Sequence, residues 1–208
     1  MARKVFISFR YSDGNKYKDE LVDLFDESTE IIDVSEDVDR SDMTDDTIRK
    51  HLYKKLGNSS VTIIIVTPEA VNHNKWLGVY NDWMHDEIRY SLEDREGNRC
   101  NGLIAVYTDD AEHLLITKRT HICDKCRVKS TVNRLRDVNN LFRKNMCNIK
   151  PEYKKNECVG IYDGNYDSYC SLISWDDFVN NYKKYIDIAA EKREKVDEYK
   201  LKKNLNKD

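Results

Sequence analysis

SSVTIIIVTPEAVNHNKWLGVYNDWMHDEIRYSL, Ser59 to Leu92, contains the two elements whose reading decides the fold. Val61 to Val66, VTIIIV, is a nearly continuous apolar run. Such a run suits a central strand of a parallel sheet, covered on both faces. A loop follows, and then WMHDEI, Trp83 to Ile88, opens a helix. Met84, Ile88 and Leu92 recur at helical spacing and form the buried stripe. Trp83, Glu87 and Ser91 form the next stripe, about 100° round the helix. That offset puts the Glu87 carboxylate at the border between core and cleft, with Trp83 as a wall beside it. A half-buried carboxylate in a dry pocket can hydrogen-bond sugar hydroxyls strongly. The competing structural reading is a boundary glutamate paired with Arg89 or a neighbouring loop.

Working outward, KVFISF (Lys4 to Phe9) reads as a buried strand, and Asp13 and Gly14 mark a turn. Tyr17, Leu21, Leu24, Phe25 and Ser28 then follow at helical spacing. EIIDVS (Glu30 to Ser35) is a second, weaker strand, followed by the acidic loop EDVDRSDM. Thr44 is placed to cap the next helix, with Asp45 and Asp46 in its first turn and Gly57 at its end. The WMHDEI helix is expected to end near Gly97, and GLIAVY (Gly102 to Tyr107) is a fourth strand. Alternation of strand and helix implies right-handed βαβ units and a parallel sheet. Ligands of such sheets bind outside the carboxyl ends of the strands, which puts Phe9, Arg10, Tyr11, Ser35 and Thr67 near the active edge.

The expected organisation is an α/β core over residues 1–107. A cysteine-containing elaboration over 108–172 completes the same domain, and a C-terminal helix with a charged tail covers 173–208. A fifth strand is expected at Val159 to Tyr162. The final helix starts with a capping box from Ser174 to Asp177 and has the stripe Trp175, Phe178, Val179, Tyr182, Ile186 and Ala189. After Glu191 it becomes mostly charged and reads as a solvated helix or frayed tail.

The 208 residues carry 35 basic and 38 acidic side chains, for a net charge of −3, so no overall basic bias points to nucleic acid. The start, MARKVFISF, has neither the apolar region nor the cleavage site of a signal peptide, and no run approaches a membrane helix. A cytoplasmic protein is the expectation, with neither membrane nor nucleic acid as partner. Of the six cysteines, five lie between Cys123 and Cys170, and in the cytosol they are expected reduced or metal-bound. HICDKC holds His121, Cys123 and Cys126, and Cys147 and Cys158 could complete a zinc site. A strong zinc signal has two Cys-x-x-Cys pairs and this chain has one, so reduced, partly core cysteines are the favoured reading. The motif does not follow the first strand of its unit, which argues against a redox pair. The basic stretch from Lys125 to Lys144 carries Val132, Leu135, Val138 and Leu141 at helical spacing. It reads first as an amphipathic surface helix and second as a groove for phosphates or a partner. No G-x-G-x-x-G fingerprint is present, so dinucleotide binding in the dehydrogenase manner is not indicated.

Several pieces in this order resemble a Toll/interleukin-1 receptor (TIR) domain. They are KVFISFRYSD, the acidic loop and helix before SSVTIIIVTP, and the Trp83-x-x-x-Glu87-Ile88 helix. Within that class the chain is most similar to the TIR-like proteins of bacterial Thoeris anti-phage defence, whose first strand ends in Phe, a basic or His residue, and Tyr. Phe9-Arg10-Tyr11 matches that pattern, and Ser174-Trp175-Asp176-Asp177-Phe178 also looks like this group. The likeness covers roughly residues 3–107. The loop before Trp83 is longer than the pattern expects. Trp76 offers a second anchor, but its four-residue partner is Tyr80, which cannot supply a carboxylate.

The resemblance implies a flavodoxin-like parallel sheet flanked by helices. It also implies an enzyme that takes NAD as substrate and cleaves its nicotinamide–ribose bond, with Glu87 as the catalytic carboxylate. Defence members make a cyclic ADP-ribose-type signal that activates a separate effector, and a homo-oligomer or phage-derived activator could trigger the enzyme. Phe9, Tyr11 or Trp83 could supply ring stacking. Ser8, Arg10 and Asp13 could contact phosphate or ribose, or could simply cap strand ends. Two other classes stay open: a non-enzymatic module that self-associates or docks a partner, and a plain hydrolase that depletes NAD.

Overall fold

A computed structural model of the chain describes residues 2–35, 45–76, 83–94, 99–136, 139–156, 158 and 161–204. The strands are β1 (Arg3–Ser8), β2 (Ile31–Asp33), β3 (Val61–Val66), β4 (Gly102–Tyr107), β5 (Ile116–Ile122), β6 (Lys129–Leu135) and β7 (Cys170–Ser174). The helices are α1 (Tyr11–Asp26), α2 (Asp45–Gly57), α3 (Pro68–Trp76), α4 (Trp83–Leu92), α5 (Asp109–Leu115), α6 (Asn140–Lys144) and α7 (Trp175–Glu194). Five strands form one sheet in the order β2-β1-β3-β4-β7, all neighbours parallel. This is the doubly wound, flavodoxin-like order, in which the chain reverses direction of winding between β1 and β3.

Alternation along the strands decides which helices lie where. Val5 and Ile7 of β1, Ile63 and Ile65 of β3, and Ile104 and Val106 of β4 face α1 and α7, where Leu21, Phe25, Phe178 and Ile186 close the core. Ile64, Leu103 and Ala105 point to the other face, under Met84, Ile88 and Leu92 of α4 and Leu141 and Phe142 of α6. Phe6 packs there with Leu52 and Leu56 of α2. Full burial of an Ile or Leu side chain stabilises by about 1.5–3 kcal/mol, so β3, in which Val61, Ile63, Ile64 and Ile65 are buried and Val66 half-buried, anchors both faces. Among the described residues no helix is long and apolar enough to cross a membrane.

Several elements differ from the sequence reading. Asp13 and Gly14 lie inside the first turns of α1 rather than in a separate turn. Gly14 is there because a Cβ would come within 3.1 Å of the Phe9 Cβ. An additional helix, α3, stands between β3 and α4. The stretch expected as a basic helix instead pairs as an antiparallel β5–β6 hairpin, with only the short α6 beyond it. The fifth strand of the sheet is Cys170–Ser174. Ile161 and Tyr162 of the expected strand are irregular, and Val159 and Gly160 lie outside the described residues. Thr44 and Gly97 also lie outside them, and α4 ends at Leu92.

Among the described residues, the tail beyond Glu191 packs down at Lys192 and Tyr199 rather than fraying. Lys192 is buried, its Nζ donating to Ser168 O at 2.8 Å and Ser171 Oγ at 2.7 Å. Its burial pulls the ammonium from the ordinary 10.5 down to about 8. Tyr199 is buried against Tyr169 and forms a bridge with Ile149.

The α7 helix comes close to the sheet at Gly102, where a Cβ would sit 2.2 Å from the Ala189 carbonyl oxygen. Backbone on both sides leaves no side chain to move aside. Gly102→Ala is therefore expected to destabilise the fold by about 1–3 kcal/mol or more, read as a lower urea midpoint at unchanged slope.

Candidate functional site at the carboxyl edge of the sheet

The α4 helix packs over β3 and β4, and its second stripe reaches toward the seam between β1 and β3 at two levels. Ser91 is buried and its Oγ lies 2.8 Å from Thr62 Oγ1, while it also reaches Glu87 O at 2.7 Å. One turn earlier, Ser8 Oγ donates to Glu87 Oε2. Ser8 pairs in register with Ile64, two residues on from the Phe6–Thr62 pair, so Ser8 and Thr62 face α4 from adjacent strands. Ser8 is the last residue of β1 and is buried, whereas Glu87 is half-buried. The carboxylate therefore stands at the carboxyl end of β1, beside the switch point where ligands of such sheets bind. Arg89 is engaged by Asp86 at 3.6 Å and Glu93 at 3.2 Å, and stacks on Tyr90.

The remaining expected residues divide into two groups. Phe9 is half-buried and packs on the α1 side of the core. Arg10 is half-buried at the N-cap position of α1, where its carbonyl accepts the Gly14 N–H at 2.8 Å. Tyr11 begins α1 and is 63% exposed, a free aromatic face at the sheet edge. The Asp13 side chain is turned toward the protein: it accepts from Thr67 Oγ1 at 2.7 Å and from the Glu69 N–H at 3.0 Å. It thus ties α1 to the start of α3, and this role is that of a cap supplied from another helix. Trp83 opens α4, and its side chain, like that of Trp76, lies outside the described set. Ser35 folds onto Asp33, its N–H and Oγ donating at 2.9 and 2.6 Å.

Sequence reasoning placed Thr67 at this edge but missed its link to Asp13 and the part taken by Glu69. Thr67 Oγ1 also accepts the Ala70 N–H at 3.3 Å, and Glu69 accepts from Ser12. The signal was present as Thr67-Pro68-Glu69, a capping hydroxyl followed by proline at the first helical position and an acid in the first turn. A small apolar cavity lies under α4, lined by Ile64, Val66, Met84, Ile88 and Ala105 among others. Its volume of about 20 Å³ leaves no room for a ribose.

The cysteines form two populations. Cys100 and Cys170 belong to the core beneath α4, and burial pushes both thiols up. Cys123, Cys126 and Cys158 converge, with their sulfurs within 4.8 Å of one another. Hydrogen bonds from Cys158, then from the backbone N–H groups of Cys126 and Lys125, lower the Cys123 thiol to about 6. Cys147, expected as a fourth member, stands apart, with Ser168 Oγ 4.0 Å from its sulfur. His121 is exposed on β5 and is also outside this group.

Residues 6–113, more than half of the chain, match the family described as Thoeris protein ThsB, TIR-like domain. The matched span runs from β1 into α5 and includes Ser8, Asp13, Thr67 and Glu87.

The Asp13 latch gives a direct test. Asp13→Ala leaves the α3 N-terminus without its acceptor and is expected to cost about 1–2 kcal/mol. Tyr11→Ala removes only an exposed ring and is expected to stay within about 0.5 kcal/mol of the parent. Chemical denaturation of the two variants side by side measures both.

Proposed function

The chain belongs to the TIR-like family of the Thoeris anti-phage defence protein ThsB, and on that premise we propose that it cleaves NAD and forms a cyclic ADP-ribose-type signal. Glu87 is the catalytic carboxylate of this proposal and Ser8 its positioning residue. The observation that carries it is the Ser8–Glu87 hydrogen bond at the carboxyl end of β1. A carboxylate held by a buried donor at this edge has a fixed position toward the open side, where a ribose could enter.

The chemistry follows from that placement. The bond between ribose C1′ and the nicotinamide nitrogen breaks, and its electron pair leaves with nicotinamide as a neutral ring. The ribose becomes oxocarbenium-like, and a carboxylate beside it stabilises the developing positive charge and orients the ribose hydroxyls. An incoming nucleophile then bonds to C1′. If it comes from water, a proton is released and the product is ADP-ribose. A hydroxyl of the same molecule closes a ring and likewise releases its proton, whereas an adenine nitrogen closes the ring and keeps the positive charge. Water exclusion selects between the outcomes. In this reading Tyr11 stacks on a ring of the substrate and Arg10 meets a phosphate. The cyclic product would act on a separate effector protein.

The test is incubation of the purified chain with NAD, with and without lysate from phage-infected cells, analysed by mass spectrometry. A cyclic ADP-ribose species is expected, with turnover falling by at least about 100-fold in Glu87→Gln, the scale of losing a transition-state electrostatic partner. Ser8→Ala is expected to lower turnover by about 10-fold, the scale of one hydrogen bond to a charged group. ADP-ribose as the sole product would replace the cyclase with a plain hydrolase. NAD intact under every condition, with a folded protein, would replace the enzyme with an interaction module.

A further inference from the structure

The β5–β6 hairpin turns through Cys123 to Val128, and its tip is built around sulfur. The Cys123 N–H donates to Val128 O at 3.0 Å, and the Arg127 N–H returns to Cys123 O at 2.8 Å. Arg127 holds the left-handed backbone conformation, with φ of 57°. This tight turn aims the backbone N–H groups of Lys125 and Cys126 at the Cys123 sulfur. Cys126 is thereby folded back beside Cys123.

A third sulfur arrives from a distant segment. Cys158 Sγ lies 2.9 Å from Cys123 Sγ and 3.4 Å from Cys126 Sγ. Its own backbone is fixed: the Cys158 N–H donates to Asn156 Oδ1 at 2.9 Å, and Lys154 Nζ donates to Cys158 O at 2.5 Å and Asn156 O at 3.0 Å. Cys123 and Cys158 are buried, yet neither belongs to a hydrophobic cluster of the core, in contrast to Cys100 and Cys170. Ile122 and Val128, on either side of the turn, are each more than half exposed. A two-stranded ribbon with such a tip is marginal on its own.

Three sulfurs on two segments, gathered outside any apolar core, have the donor chemistry of a soft divalent cation. Around a tetrahedral zinc with bonds of about 2.3 Å, neighbouring thiolates stand about 3.8 Å apart. The observed group reaches that arrangement by opening slightly. We propose that Cys123, Cys126 and Cys158 bind one zinc ion as thiolates, clipping the tip of the β5–β6 hairpin to the segment before β7. The fourth position opens on the exposed Cys126 side. Binding converts three thiols to thiolates and releases three protons, leaving one net negative charge. Lys125, Arg127 and Lys129 on the same turn offset that charge. The role is structural and independent of NAD chemistry: the clip orders a ribbon whose root, Ile116 and Leu135, packs beside Val66 and Tyr107 at the carboxyl edge of the sheet.

The test uses the full chain, purified under reductant without chelator, and reads metal content by plasma mass spectrometry. One zinc per chain is expected, retained in Cys147→Ser and lost in Cys126→Ser and Cys158→Ser. Replacement of zinc by cobalt in the parent protein is expected to give a thiolate-to-cobalt charge-transfer band with intense tetrahedral d–d bands. That readout needs no variant to fold. Zinc at background level in the parent together with no such band after reduction overturns the proposal. So does a Cys123–Cys158 disulfide found by non-reducing peptide mapping in protein freshly isolated from the cytoplasm.

Discussion

The packing of α4 on β3 and β4, beside the β1/β3 seam, is the constraint on which the site depends. Met84, Ile88 and Leu92 must be buried against Ile64, Leu103 and Ala105, and this fixes the rotation of the helix about its axis. With that rotation set, the next stripe has no freedom. Ser91 meets Thr62 in the dry interior, and Glu87 reaches Ser8 at the strand end. The lower contact is the less tolerant of error. Asn101 donates to Thr62 Oγ1 at 3.1 Å and to Ser59 Oγ at 2.8 Å, so the hydroxyl pair sits inside a buried polar network that accepts little rearrangement. A carboxylate one turn above such an anchor inherits its precision.

The legible part of the chain was the part where period and burial agree. β3 and β4 are continuous apolar runs in a sheet covered on both faces, and their ends were read to the residue. Glu87 was legible for a related reason: the buried stripe of α4 was unambiguous, so its neighbour could be placed by angle alone. Asp13 shows where that logic stops. Its position at the sheet edge was readable, but its partners Thr67 and Glu69 lie more than fifty residues away, and their meeting depends on β1 and β3 being adjacent. A residue that looked free to meet a ligand is occupied in joining α1 to α3.

Beyond β4 two periodicities compete. Val132, Leu135 and Leu141 fit a helix, yet Ile116 to Ile122 offers residues 129–135 an antiparallel partner, and backbone pairing along seven residues outweighs an apolar stripe with little core to cover. The last sheet strand, Cys170–Ser174, is short and runs straight into the α7 cap at Ser174, so its pattern is masked by a stronger helix signal. The tail misled for a different reason. Lys192 reads as solvated, but its long apolar stem can be buried when a carbonyl and a hydroxyl receive the ammonium, as Ser168 and Ser171 do. Charge density alone therefore does not mark a solvated segment.

The two sulfur populations bear on how the fold divides its tasks. Cys100 and Cys170 fill core volume beneath α4, and substitution there would act on the helix that carries Glu87. Cys123 and Cys126 lie at the far end of a ribbon whose root packs on the sheet edge through Ile116 and Leu135, Cys158 reaches them from the segment before β7, and none of the three belongs to an apolar cluster of the described residues. Loosening that end leaves Ser8, Thr62 and Ser91 untouched, since none of their contacts passes through the ribbon. The carboxylate can therefore be set by the seam while the ribbon is set by sulfur, and each can change without unmaking the other. Such separation is what an inserted element requires: a core whose geometry is closed by its own sheet, and an appendage that carries its own means of order.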